Sequence, residues 1–292
     1  DARIVSLRND SFSITSLFLA DNRKLHDWYS IGGDWGMAYG AYKFYSLLDL
    51  VTDKSNLIFG MDLNKQPKVS TMQLGALSPE YSDKIVWANQ GFDNPAYHYI
   101  MLKNMGIRSD TVNVDFLGNR DATNSFRFLV DTGQSCLQLP SEMYDSIIAW
   151  IQGNYDSEDE MPSISFQVDS GSSEWKSSSP APDDLMFIRL SDLLLPEEEL
   201  SDIQPIDGAP MIEVAGIAKK LCMLRNGQIY ASTAEDTLIA PSPTSVLGSL
   251  ALQSVYFAAN FETKSVGFAS KLSPADVSNI YASSVLVNPV SC

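Results

Sequence analysis

Residues 128–148 read FLVDTGQSCLQLPSEMYDSII. An apolar run, Phe128 to Val130, leads into Asp131, turns through Thr132 and Gly133, and resumes as Leu137-x-Leu139-Pro140 ahead of an amphipathic segment. The run predicts a buried strand that delivers Asp131 to the bottom of a cleft, where backbone and hydroxyl donors hold its carboxylate. Gly133 lets the chain turn tightly with its backbone N–H facing that carboxylate. A helix is expected over 141–151: Pro140 stands at its entrance, Ser141 is positioned to cap, Glu142 lies in the first turn, and Met143, Ile147, Ile148 and Ile151 make one apolar face. An Asp-Thr-Gly tripeptide alone is weak evidence, because ordinary turns produce it often.

The rest of the chain narrows the setting. Its 292 residues, 45% of them hydrophobic, can bury a large core. Twenty Lys+Arg against 36 Asp+Glu leave a net charge of −16, with a sequence pI near 4.4. Such a field repels phosphate backbones and anionic lipid, so nucleic acid is not expected as a partner. The self-repulsion relaxes as pH falls toward the pI, which fits work in an acidic compartment. No 18-residue apolar stretch is present, so no membrane span is expected. The chain begins at Asp1, without a basic-then-apolar leader, and reads as a processed product. Asn9-Asp10-Ser11 is a glycosylation sequon that fits an extracytoplasmic route.

Short β-rich runs dominate, among them RIVSL (3–7), SITSLFL (13–19), NLIFGMDL (56–63), HYIMLKNM (98–105), FRFLVD (126–131), SISFQVD (163–169), LMFIRL (185–190), QIYAS (228–232) and SVYFAANF (254–261). Their spacing and the Asn, Asp, Gly, Ser and Pro between them predict an all-β architecture. Only residues 42–51 and 141–151 have helical periodicity. The stretches 154–160 and 169–184 are acidic and Ser-rich and read as solvated loops, and the tail after Leu272 lacks periodicity. His26 and His98, with Cys136, Cys222 and Cys292, match no zinc spacing, so neither metal nor cofactor is expected. His98 reads as a packed or edge residue. Cys136 has no histidine motif to make it a nucleophile and reads as a buried structural residue. The odd cysteine count leaves at least one thiol free or paired with another chain.

A second stretch decides the family. Residues 246–269, VLGSLALQSVYFAANFETKSVGFA, together with FLVDTG, resemble the C-terminal half of the pepsin-like aspartic peptidases. In that family a strand matched here by Val246-Leu247-Gly248 crosses behind the Asp-Thr-Gly loop, and a hairpin ends in the equivalent of Val266-Gly267-Phe268-Ala269. Ile31 to Tyr39 (IGGDWGMAY), Phe44 to Leu63, Ser70 to Asn89, Tyr97 to Ile107, Met161 to Phe166 and Phe187 to Leu195 resemble further passages of the family. The resemblance implies an all-β, bilobal fold, with residues 1–78 as the trailing part of the first lobe and 79–292 as the second lobe with interlobe sheet strands and a C-terminal tail. It implies Asp131 as a catalytic carboxylate, with Thr132, Gly133 and Gly248 supporting its loop and Gln134 and Ser135 binding substrate. Thr132 would brace the two lobes, and Gly133 would give its N–H to the carboxylate.

The family needs two aspartates, one per lobe, and this chain has one matched loop. Asp169-Ser170-Gly171 and Asp207-Gly208 lack the matched setting and read as turns. The resemblance leaves three explanations. The chain is the heavy chain of a two-chain member such as cathepsin D, its light chain carrying the other aspartate and the flap; or it is a scaffold that binds without catalysis; or it dimerises to supply one aspartate per subunit, a pairing the first-lobe remnant would obstruct. A polypeptide substrate and a secretory, endolysosomal, vacuolar or extracellular location follow from the first. Two positions depart from the family pattern: Gln134 replaces a small hydroxyl residue, and Ser249 replaces an aspartate. Cys222 stands where the family often places a disulfide cysteine, with no evident partner; it is free, or bonded to Cys292, or bonded to another chain.

Overall fold

The structure, a computed structural model, describes residues 57–65, 68–88, 98–109, 113–115, 126–151, 153–170, 185–195, 209–226 and 245–272. The expected strands at 3–7, 13–19 and 228–232, the helix at 42–51, the IGGDWGMAY stretch, Asn9, most of the 169–184 loop and the tail after Leu272 lie outside the described residues.

The architecture is all-β, as the run of short apolar segments predicts. In chain order the strands are β1 (Ile58–Asp62), β2 (Thr71–Leu74), β3 (Val86–Trp87), β4 (Tyr99–Arg108), β5 (Asn113–Asp115), β6 (Phe126–Val130), β7 (Leu137–Leu139) and β8 (Asn154–Tyr155). They continue as β9 (Ser163–Val168), β10 (Leu185–Arg189), β11 (Met211–Val214), β12 (Ile217–Lys220), β13 (Met223–Arg225), β14 (Ser245–Leu247), β15 (Val255–Asn260) and β16 (Ser265–Ser270). Among the described residues two α-helices join them, α1 (Ser141–Trp150) and the single turn α2 (Ser249–Leu252).

Among the described residues the strands form three sheets. One runs β2-β1-β15-β16-β3; a larger one runs β10-β9-β4-β6-β14-β7-β13, with β5 beside β4; a small one runs β12-β11-β8. In β15 every residue from Val255 to Ala259 is buried, so alternation supplies two cores instead of one. Phe257 and Ala259 join the main core, where Phe59 and Phe268 meet Ile100, Phe128 and Phe166 from the large sheet. Tyr256 and Ala258 point the other way, into a smaller cluster with Tyr81 and Ala269.

Strand β4 shows how the sequence pattern is bent to the fold. Ile100 and Leu102 are fully buried, and so are Met105 and Ile107, which belong to the opposite parity. The register against β9 shifts between Lys103 and Gly106, so an irregularity in the ladder resets the parity and keeps both halves facing the core.

Helix α1 forms where expected and buries Met143, Tyr144 and Ile147, with Ile148 and Ile151 partly buried against the same core. Its cap differs from the expectation. Pro140, extended at φ −52° and ψ 144°, is the boundary residue, and no side chain caps the helix. Ser141 is already helical, so its hydroxyl is not at the cap position. The 154–160 stretch is also more than a solvated loop. It supplies β8 and a 3₁₀ turn over Glu158–Glu160, and Glu158 bonds Lys65 (2.9 Å) in the connection after β1 and Lys219 (3.1 Å) on β12.

Candidate active site: the Asp131 loop

The loop after β6 is shaped by a strand inserted between its two arms. β14 pairs in parallel with β6, Leu247 opposite Val130, and antiparallel with β7, Val246 opposite Gln138. The chain therefore rises along β6, crosses over the end of β14 at 131–136, and descends along β7. Asp131 N–H donates to the Leu247 carbonyl at 3.1 Å, which fixes the entrance of the crossing. On the far arm the N–H groups of Ser249 and Leu250 donate to the carbonyls of Gln134 (2.7 Å) and Ser135 (3.2 Å).

Gly248 lies directly under this crossing. A Cβ there would stand 2.4 Å from the Cys136 carbonyl oxygen, 2.7 Å from that of Ser135 and 2.8 Å from that of Gln134. All three neighbours are backbone atoms of the loop itself, so glycine is required by close approach. The expected strand that passes behind the aspartate loop is thus present, and Gly248 is its contact point.

Within the loop, the Gly133 N–H donates to Asp131 Oδ1 at 2.8 Å. A backbone donor stabilises the ionised carboxylate without supplying a net positive charge. Among the described residues Asp131 enters no ion pair. Its burial is less than the sequence suggests: Asp131 and Gln134 are half-buried, while Thr132, Gly133 and Ser135 are exposed. The backbone donor expected at Gly133 is present; the expected burial is corrected to half-burial, because the turn carries Asp131 out of the sheet beyond Val130, and among the described residues no hydroxyl bonds its carboxylate. The Gln134 Oε1 atom is shielded from solvent and takes no hydrogen bond from the described residues.

The cysteine reading needs a correction too. Cys136 and Cys222 form a disulfide across 86 residues of sequence, so Cys222 is neither free nor bonded to Cys292. The pairing follows from the parallel register of β7 and β13: Leu137 lies opposite Met223, which brings the preceding residues together. Sequence reasoning had both cysteines and missed the pair, since β13 is only three residues long and nothing in KKLCMLRNG announces its partner strand. His98 is packed, as expected, with its ring edge-on to Phe59, Phe257 and Phe261 at 5.8 to 5.9 Å. Among the described residues no group of His, Cys, Asp and Glu is placed to hold a metal ion.

Residues 36–271 match the family model for eukaryotic aspartyl proteases. The chain belongs to that family. No curated protein matches it. Membership sets the chemistry at its general level as peptide-bond hydrolysis on a polypeptide substrate, carried by an all-β, pepsin-like fold. No helix among the described residues is long and apolar enough to cross a membrane.

Proposed function

We propose that this chain is the heavy chain of an acid-acting aspartic endopeptidase, with Asp131 as one half of a catalytic dyad. The second aspartate and the flap come from a light chain outside these 292 residues. The observation that carries the reading is the loop itself: Asp131 held by the Gly133 N–H, on a crossing propped from beneath by Gly248. Residues 1–78 are read as the trailing part of the first lobe and 79–292 as the second. The pairing of β1 with β15 supports this division, since it joins the two segments in one sheet.

In this reading, two carboxylates about 3 Å apart cannot both ionise and share one proton. The ionised member takes a proton from a bound water, while the protonated member gives its own to the substrate carbonyl oxygen. The water oxygen bonds to the carbonyl carbon, and a tetrahedral diol forms without a covalent enzyme intermediate. Exposed Thr132 is free to brace the partner loop, and Ser135 and Gln134 lie beside Asp131 to meet an extended substrate backbone, cleaved between bulky apolar residues. No cofactor takes part. The charge of −16 and the pI near 4.4 fit an acidic lumen of the secretory or endolysosomal route, or an acidic extracellular setting.

One observation favours a second reading, in which the chain is a scaffold that binds without catalysis. Gln134 occupies the place of a small hydroxyl residue, and its carbonyl oxygen is turned out of solvent. Native intact-mass analysis with sequencing of any co-purifying chain separates the two. A companion of roughly 80 to 120 residues carrying Asp-Thr/Ser-Gly is expected, the size of the missing part of a normal lobe. A lone chain without acid peptidase activity would overturn the enzyme reading in favour of the scaffold.

A further inference from the structure

The Cys136–Cys222 disulfide takes no part in the chemistry of a carboxyl dyad, yet it stands where the chain leaves the Asp131 loop. The ladder between β7 and β13 begins at Leu137 and Met223, so the sulfur bridge extends it by one rung toward Asp131. Around it the backbone is tied as well: Leu137 N–H donates to the Cys222 carbonyl at 3.0 Å, and Cys222 N–H to the Leu193 carbonyl at 2.8 Å.

Both cysteines are buried, and with Leu195 and Leu224 they form an apolar cluster separate from the main core. Leu250 packs against that cluster, and its N–H donates to the Ser135 carbonyl. The Cys136 carbonyl oxygen is the atom that a Cβ on Gly248 would strike most closely. Disulfide, small cluster, Gly248 and the loop carbonyls thus form one continuous stack beneath the aspartate.

We propose that the Cys136–Cys222 disulfide is a positioning device for the Asp131 loop. Pairing to Leu247 fixes the entrance of the crossing, and the disulfide fixes its exit. A short loop clamped at both ends has few conformations left, and the one retained keeps the Gly133 N–H on the carboxylate. The kinetic consequence rests on the peptidase reading above; the geometric one does not.

The test compares the purified protein, with any companion chain, to its Cys136→Ala/Cys222→Ala variant. Amide hydrogen exchange is followed at Gly133, Ser249 and Leu250, with Ile164 and Phe166 of β9 as references, and kcat and KM are measured on an apolar peptide at acidic pH. We expect the three loop amides to exchange about tenfold faster relative to the references. kcat should fall about tenfold while KM stays within about twofold, as for a displaced catalytic group. An equal change at loop and reference amides, or none, would mean a cross-link that serves global stability alone and would overturn the proposal. So would loosened loop amides with an unchanged kcat. If the disulfide-intact protein has no peptidase activity but the loop amides still loosen selectively, the positioning role stands and the peptidase reading falls. Where the alanine pair does not fold, Cys136→Val/Cys222→Ala, which refills the cluster with apolar volume, is read in the same way.

Discussion

Asp62 and Asp131 both stand at strand ends, and the structure treats them differently. Asp62 closes β1, and its Oδ1 lies 2.6 Å from Lys271 Nζ, a half-buried ion contact at the end of the five-stranded sheet. The same ammonium donates to the Leu63 carbonyl (2.5 Å) and the Gln253 carbonyl (2.9 Å). Asp131 follows β6 and has a backbone N–H in place of a cation. Asp62 ties strand ends together through a cation, whereas Asp131, the proposed catalytic carboxylate, meets only a backbone donor among the described residues.

The comparison breaks most sharply at Asp131 itself. Asp131→Asn keeps the size and the acceptor for the Gly133 N–H but cannot exchange a proton. In the completed enzyme, kcat should fall by about three orders of magnitude or more with the thermal midpoint nearly unchanged. Activity near that of the parent would remove Asp131 from the dyad. Gly248→Ala attacks the same loop from beneath. The added methyl meets three carbonyl oxygens that belong to the backbone, so the crossing must lift; a loss of about 3 kcal/mol is expected in chemical denaturation, accompanied by reduced activity. Unchanged stability in that variant would mean that the loop relocates freely and that Gly248 does not prop it.

At the sheet, the expected result is the reverse: stability lost and chemistry kept. Lys271→Met leaves the Asp62 carboxylate, about one-fifth exposed, without its cation. Burial lowers the Lys271 pKa and the Asp62 charge opposes that shift, so the pair is held together against a desolvation penalty. A cost of about 2 kcal/mol is expected for Lys271→Met, and most of it should return in Asp62→Asn/Lys271→Met, where no uncompensated charge remains. A double variant no more stable than the single one would show that Lys271 acts through its bonds to the Leu63 and Gln253 carbonyls instead.

The difference between these two regions also marks what could be read before any coordinates. Asp131 was visible because it ends an apolar run and is followed by Thr-Gly, a local signal within a few residues. Gly248 was visible only through family resemblance, because the carbonyls that require it lie more than a hundred residues earlier in the chain. The Cys136–Cys222 bridge and the Asp62–Lys271 pair were not legible at all. Both join segments whose adjacency is set by strand order: β13 beside β7 in one case, and β1 and β16 on either side of β15 in the other. Strand existence followed from alternation and β-branched residues, but the three-residue strands β5, β7, β13 and β14 are too short to show a period. The solvent exposure of the Asp131 loop escaped for a related reason, since parity within β6 says nothing about how far the turn carries the next residue out of the sheet.

The smallest effect lies at Glu158, which ties the two regions' surroundings together through Lys65 beside β1 and Lys219 on β12. Burial alone would raise its pKa, but the hydrogen bonds and charges of the two lysines outweigh burial and hold it below the usual carboxylate value. A carboxylate whose pKa is lower folded than unfolded contributes stability above its unfolded value near 4.5, and that contribution disappears as pH falls through the folded value. Because Glu158 and Lys65 are both more than a third exposed, the contribution is screened, about 0.5 kcal/mol. Glu158→Gln should therefore lower the midpoint of unfolding by about 1 to 2 °C near pH 6 and leave it unchanged once the parent's Glu158 is protonated in strong acid. A difference that persists undiminished into strong acid would mean that Glu158 stabilises by packing and not by charge, and that the link between the sheets does not weaken under the acidic conditions in which the peptidase is proposed to work.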